Sequence, residues 1–185
     1  MSMYLGKHKV NPILDYSYVG IALNDFLKVR GCNSLLSDNL DLTNTDNMLY
    51  FEDTQGVQSF WRMFGGDRNL IRVNLFDTSS ATVMSNMFEN CSSLVAIPAF
   101  DVSNVTDLGD FVRNCSNITE IHIKNIGVSL NISSCTKMSR ESIVEVLNNL
   151  KTVTTDTTLT LGTTLLEKLN EEDKKIATDK GWTLK

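Results

Sequence analysis

Apolar and polar positions repeat along the middle of the chain with a period of 24 residues. The stretch MFENCSSLVAIPAF, which begins at Met87, is followed 24 residues later by FVRNCSNITEIHIK, with Asn-Cys-Ser in the same place. A shift by this interval brings apolar residues into columns, the clearest being Leu70, Leu94 and Ile118, then Val73, Ile97 and Ile121. One such unit cannot cover its own apolar side, so the period indicates repeats that stack on one another.

Each repeat divides into two parts with different spacing. The part that ends at Ile97 and Ala99 alternates, which is typical of a short strand, and strands of successive repeats would pair in parallel about 4.8 Å apart. The later part has apolar residues three and four apart, which favours a helical turn or short helix, as at Val105, Leu108, Phe111 and Val112. We therefore predict an α/β solenoid of parallel strands and short helices over residues 48–138.

The two ends of the chain lack the period. Residues 139–185 predict an α/β cap, with Ser139 and Asn170 as helix N-caps and with Trp182 returning to the sheet. Residues 1–47 are predicted to be an N-terminal cap or an attachment segment. A small hairpin is expected there between Tyr4 and Val10.

Composition and charge exclude several classes of function. The net charge of −5 argues against a nucleic-acid partner, because phosphate binding needs a clustered basic face. No apolar run approaches the roughly 18 residues of a membrane helix, so no membrane insertion is expected. The opening residues show no apolar core behind their basic residues, so we expect no signal peptide.

Candidate chemistry is sparse. The four cysteines form no C-x-x-C pair, so we expect no metal and no cofactor, with Cys91 and Cys115 as buried thiols. His122 is predicted to lie on the solvent side of its strand. Asp107 and Asp110 form a pair of carboxylates, but their place between apolar positions favours a capping role. The chain is therefore not predicted to be an enzyme.

The predicted alternation also defines an outward face for partner binding. Its candidate residues are Tyr50, Arg72, Asn74, Phe76, Phe100, His122 and Lys124. Phe76 and Phe100 are the most informative pair, since adjacent exposed aromatic side chains often mark an interaction site. The alternative is that the chain ends or a loop at the strand edge cover these two phenylalanines.

The run MFENCSSLVAIPAFDVSNVTDLGDFVRNCSNITEI resembles the BspA-type leucine-rich repeats, whose hallmark phrase is close to MF-x-x-C-x-S-L-x-x-I-P-x-F-D-T-S-N-V-T-x-M. The likeness is looser between Leu49 and Asn86, where Gly66-Asp67 replaces Asn-Cys. The closing segment LTLGTTLLEKLNEEDKKIATDKGWTLK is similar to the caps of such repeats in phage and prophage proteins. The opening MYLGKHKV is similar to short N-terminal strands of phage tail proteins.

This resemblance implies a leucine-rich repeat solenoid with a non-enzymatic binding role. We predict a phage virion protein of the tail or baseplate, assembled in the host cytoplasm, that binds a virion protein or a host-surface receptor. A homo-oligomer is an open option. The alternatives are a bacterial cell-surface or secreted adhesin and an intracellular protein-interaction scaffold.

Overall fold

The computed structural model describes residues 3–5, 8–10, 37–38 and 54–185. The elements in chain order are β1 (Met3–Leu5), β2 (His8–Val10), β3 (Ala96–Ile97), β4 (Glu120–Ile121), β5 (Leu130–Asn131), α1 (Arg140–Asn148), β6 (Thr157–Thr160), α2 (Gly162–Leu166), α3 (Glu171–Thr178) and β7 (Trp182–Leu184). Strands β1 and β2 pair antiparallel, which confirms the predicted hairpin.

The strand segments of successive repeats lie beside one another. Strand β3 pairs with β4 in parallel and sets Ile97 beside Ile121, as the period predicts. The backbone N–H of Thr119 donates to Val95 at 2.8 Å, and the N–H of Val95 donates to Ile71 at 3.0 Å. The same bond thus recurs 24 residues apart, so each repeat supplies hydrogen-bond partners to the next.

The second part of each repeat forms a chain of turns instead of the predicted short helices. The N–H of Phe64 donates to Met87 at 2.9 Å, and the N–H of Phe88 donates to Phe111 at 3.0 Å. In an α-helix these groups would donate to carbonyls four residues earlier. Between them lie turn bonds of three residues, such as Met87 N–H to Met84 at 3.3 Å. The prediction of helices was therefore wrong for residues 54–138, where the structure places none.

Left-handed backbone residues explain why no helix forms there. They recur at matching positions of three repeats, as Arg62 (φ 51°), Asn86 (58°) and Asp110 (52°), and again as Gly66 (90°), Asn90 (63°) and Asn114 (60°). One residue with this φ ends a right-handed helical turn, and Gly, Asn and Asp tolerate it best. The polar residues between the apolar positions thus set the turns, and the apolar residues still point inward.

The interior is continuous from one repeat to the next. The apolar columns predicted from the period are buried, with at most 7% exposure at Leu70, Leu94 and Ile118 and at Val73, Ile97 and Ile121. Aromatic rings of adjacent repeats touch: Phe64 stacks on Phe88 at 5.4 Å, and Phe88 meets Phe111 edge-on at 5.4 Å. Burial of each such side chain contributes about 1.5–3 kcal/mol relative to exposure.

The cap begins as the sequence predicts. The Ser139 hydroxyl accepts from the N–H of Ser142 at the start of α1. At the start of α3 the Asn170 side chain accepts from the N–H of Asp173, and the Asp173 carboxylate accepts from the N–H of Asn170. Both predicted N-caps are confirmed. Strands β5, β6 and β7 form a parallel sheet, and the Trp182 indole donates to the Lys151 carbonyl at 2.8 Å.

Charged side chains join the parts of the cap to one another. The Arg140 guanidinium donates two hydrogen bonds of 2.7 Å to the Asp173 carboxylate, which lowers the pKa of Asp173. The Lys180 ammonium donates to the carbonyls of Leu147 at 3.0 Å and Asn148 at 2.7 Å, at the end of α1. A cation in this place satisfies carbonyls that the helix leaves without partners.

Candidate binding surface

The outward residues of three extended segments, 71–75, 95–99 and 119–124, form one surface, which we call the strand face. Each segment belongs to a different repeat, and the bonds from Val95 to Ile71 and from Thr119 to Val95 keep them in register. Arg72, Asn74 and Lys124 are exposed on this face, where the sequence places them. Tyr50, the remaining candidate of the first repeat, lies outside the described residues.

Phe76 and Phe100 do not lie on the strand face. They are 7% and 0% exposed, and their ring centroids are 4.7 Å apart inside the core. The prediction was wrong because the paired strand is only two residues long. After Ile97 the chain turns, with the N–H of Phe100 donating to the Pro98 carbonyl at 2.7 Å, so that inward positions recur every three residues. The spacing of Leu94, Ile97 and Phe100 is the sequence signal for this pattern.

Aliphatic side chains take the exposed positions instead. Leu75, which the alternation predicts to be inside, is 61% exposed. Ile71 is 49% exposed and Val95 41%, while Ala96 and Pro98 between them are half-buried. The strand face therefore carries an apolar patch over its first two repeats and polar residues over the third.

His122 connects the strand face to the cap. Its side chain is half-exposed, as predicted, and its Nδ1 lies 2.7 Å from Glu145 Oε1 on α1. Its Nε2 lies 3.3 Å from Glu120 Oε2. The hydrogen bond to Glu145 raises the pKa of His122, and the Glu120 carboxylate acts in the same direction. The protonated imidazole thus holds two carboxylates together at the junction between the repeats and the cap.

The described cysteines are structural. Cys91, Cys115 and Cys135 are buried and reduced, which confirms the prediction for the first two, and Cys32 lies outside the described residues. Burial raises the pKa of Cys115 and of Cys135 to about 12, so thiolate is scarce at neutral pH. The Cys115 thiol donates to the Phe88 carbonyl at 2.9 Å. These thiols thus add bonds between repeats.

Metal ligands and membrane spans were also searched among the described residues. No group of three or more His, Cys, Asp or Glu side chains there has an arrangement that would hold a metal ion. In the same part of the chain, every helix is too short or too polar to cross a bilayer.

Stacked repeats with a regular strand face and an α/β cap define a repeat protein with an exposed face between core and solvent. Residues 32–153 match the family described as "Mycoplasma protein of unknown function, DUF285". The match covers more than half of the chain, so the chain belongs to this family, which is associated with BspA-like repeat proteins. Comparisons with curated proteins and with solved structures give no significant match.

Proposed function

We propose that this chain is a leucine-rich repeat solenoid that binds a protein partner through the strand face, without catalysis. The observation that carries the proposal is the exposure of Ile71, Leu75 and Val95 together on one regular surface. Contiguous apolar residues on a surface, bordered by polar ones, are typical of interaction sites. Arg72 and Asn74 lie among them and supply the polar border.

The rigidity of this face supports the same proposal. Hydrogen bonds from Val95 to Ile71 and from Thr119 to Val95 join the three segments, and the buried columns beneath them fix their height. A surface that is already ordered loses little conformational entropy when a partner binds. Side chains on such a scaffold therefore give affinity without a folding step.

For the biological setting we propose a phage virion, with the chain in the tail or baseplate. The support is the resemblance of the segment from Leu159 to Lys185 to caps of phage and prophage repeat proteins. The partner would then be another virion protein or a receptor on the host surface. Within this proposal the repeats present the strand face, and the cap closes the apolar interior.

Two experiments test the two parts of this proposal. Mass spectrometry of purified particles should detect the chain at a stoichiometry similar to tail proteins, if the genome that encodes it produces a phage. Absence from purified particles would refute the virion setting. Recovery from the surface of cells that release no particles would support the adhesin instead.

For the strand face, the tagged chain is incubated with particles that lack it, and bound chain is quantified. Val95→Asp should reduce binding at least tenfold, because it places a charge in the apolar patch, a change of about 1.4 kcal/mol or more. The control is Ser116→Asp, which adds the same charge at an exposed turn position. Equal binding of the two folded variants would refute a role for the strand face.

A further inference from the structure

One row of the strand face changes sign in charge across its centre. The row consists of Arg72, Ala96 and Glu120, one residue from each repeat. Ala96 is paired with Glu120, and the equivalent bonds from Thr119 to Val95 and from Val95 to Ile71 set Arg72 beside Ala96 in the same register. With strands about 4.8 Å apart, the backbones of Arg72 and Glu120 lie about 10 Å apart, on either side of Ala96.

Such a row is complementary to a second copy of itself. A two-fold axis that lies in the interface and runs along β3 brings the first repeat of one copy opposite the third repeat of the other. In a two-fold interface, if residue i contacts residue j, then j also contacts i. Arg72 of each copy would thus face Glu120 of the other, which gives two contacts between opposite charges. Ala96 would face its own counterpart.

The neighbouring rows suit the same arrangement. The central repeat is apolar on its outward side, with Val95 and Pro98 beside Ala96, so like residues would meet along the axis without burying charge. Asn74 of one copy would lie opposite His122 of the other, which pairs an amide with an imidazole. The small side chains in the centre let the two faces approach closely, while Arg72 and Glu120 at the sides reach across.

We infer that the strand face pairs with the strand face of a second copy of this chain, around a two-fold axis parallel to β3. This inference rests on the proposed binding function of the strand face and names its partner. Charge complementarity selects the second copy: a partner of unrelated sequence gives no reason for opposite charges at equal distances from an apolar centre.

The size of the face determines how strong the pairing is. Three strands of about five residues cover roughly 15 Å by 17 Å, or about 250 Å² on each copy. Stable interfaces bury about 800 Å² per partner. The described strand face therefore forms a weak dimer that depends on protein concentration, unless residues before position 54 extend it.

Charge reversal with sedimentation velocity tests the pairing, on the full chain from about 1 µM to about 1 mM, the range of weak affinities. The wild type should shift from monomer to dimer. Arg72→Glu and Glu120→Arg should each weaken self-association at least tenfold, because each creates two contacts between like charges. Their equimolar mixture should recover the dimer, because both contacts then join opposite charges. Arg68→Glu, at an exposed turn position, is the control and should behave as wild type.

A monomeric wild type at every concentration, or a mixture that stays monomeric while the wild type dimerises, would overturn the inference. The proposed function fails differently. If the chain stays monomeric but Val95→Asp still abolishes binding to particles, the strand face binds a protein other than itself. If it dimerises as expected while Val95→Asp binds particles normally, self-pairing stands and binding to particles through this face is refuted.

Discussion

The repeats, residues 54–138, and the cap, residues 139–185, satisfy their backbone groups over different distances along the chain. In the repeats the N–H of Phe88 donates to Phe111, one repeat away. In the cap the N–H of Ile143 donates to Ser139, one helical turn away. A repeat thus depends on its neighbour for its hydrogen bonds, whereas a cap helix forms its own. Damage within a repeat should therefore spread further than damage to the end of a cap helix.

The side chains differ between the two regions in the same sense. Apolar columns hold the repeats together, while the cap relies on side-chain N-caps and on charged groups such as Arg140 with Asp173. The apolar columns gain free energy from continuous burial, and the caps gain it from single hydrogen bonds. The variants that follow use this difference.

The largest effect is expected at the centre of the aromatic stack. Phe88 is fully buried and touches Phe64, Phe100 and Phe111. Phe88→Ala should lower the free energy of unfolding in urea by about 3–5 kcal/mol, through lost burial and a cavity. Leu75→Ala, at a position 61% exposed, is the control and should change it by no more than about 0.5 kcal/mol. Similar losses for both variants would contradict this core.

A second variant separates turns from helices by the sign of its effect. Asn90 has a φ of 63° and its side-chain oxygen accepts from Asn114 at 2.8 Å. Asn90→Ala should destabilise the chain by about 1–2 kcal/mol, because alanine is strained at this φ. Asn90→Gly, matching Gly66 one repeat earlier, should cost less. If the segment were helical, alanine would stabilise and glycine would destabilise relative to asparagine.

In the cap, one N-cap should account for a smaller and more local loss. Asn170→Ala removes the acceptor for the N–H of Asp173 at 2.9 Å and should cost about 1 kcal/mol in urea unfolding. Asn170→Ser keeps an acceptor and should restore most of it. Hydrogen exchange should show faster exchange in α3 with little change between residues 81 and 115. Loss of protection throughout the repeats would contradict a local effect.

The smallest effect is a dependence on pH at the junction between the two regions. The hydrogen bond to Glu145 raises the pKa of His122 in the folded chain above the ordinary value of 6.5. Proton binding is then tighter in the folded state, so this contact stabilises the fold fully below pH 6.5 and less as pH rises through the folded pKa.

Titration of the His122 ring by NMR should therefore give a pKa above 6.5 in the wild type, and Glu145→Gln should bring it down. The stability difference between wild type and His122→Gln should shrink as pH rises. Because the imidazole is partly exposed, solvent screens the interaction and the difference stays small. A pKa below 6.5 would show that burial outweighs the carboxylates.

The comparison of the two regions also explains which features the sequence predicts. The buried columns were predictable because identical spacing demands identical environments, as at Leu70, Leu94 and Ile118. Ser139 and Asn170 were predictable because an N-cap depends on a few consecutive residues. The ion pair of Arg140 with Asp173 was not, since it joins residues 33 apart that no local pattern relates.

Two errors share one physical cause. A chain of turns places side chains inward at intervals of three and four, so its apolar pattern matches that of a helix. A strand of two residues does not sustain alternation, so Phe100 turns inward where a longer strand would point it outward. In both cases periodicity predicts which residues share the interior, but it does not specify the backbone between them. The candidate surface was therefore predicted at Arg72 and Lys124 and missed at Leu75.

The most direct test of the account is the scalar coupling through hydrogen bonds in isotope-labelled, deuterated protein. The stacked repeats predict a coupling from the amide nitrogen of Phe88 to the carbonyl carbon of Phe111, and from Phe64 to Met87, one repeat further along the chain. A coupling from the Phe88 nitrogen to the carbonyl carbon of Met84, four residues earlier, would show a helix instead and would contradict the ladder between repeats.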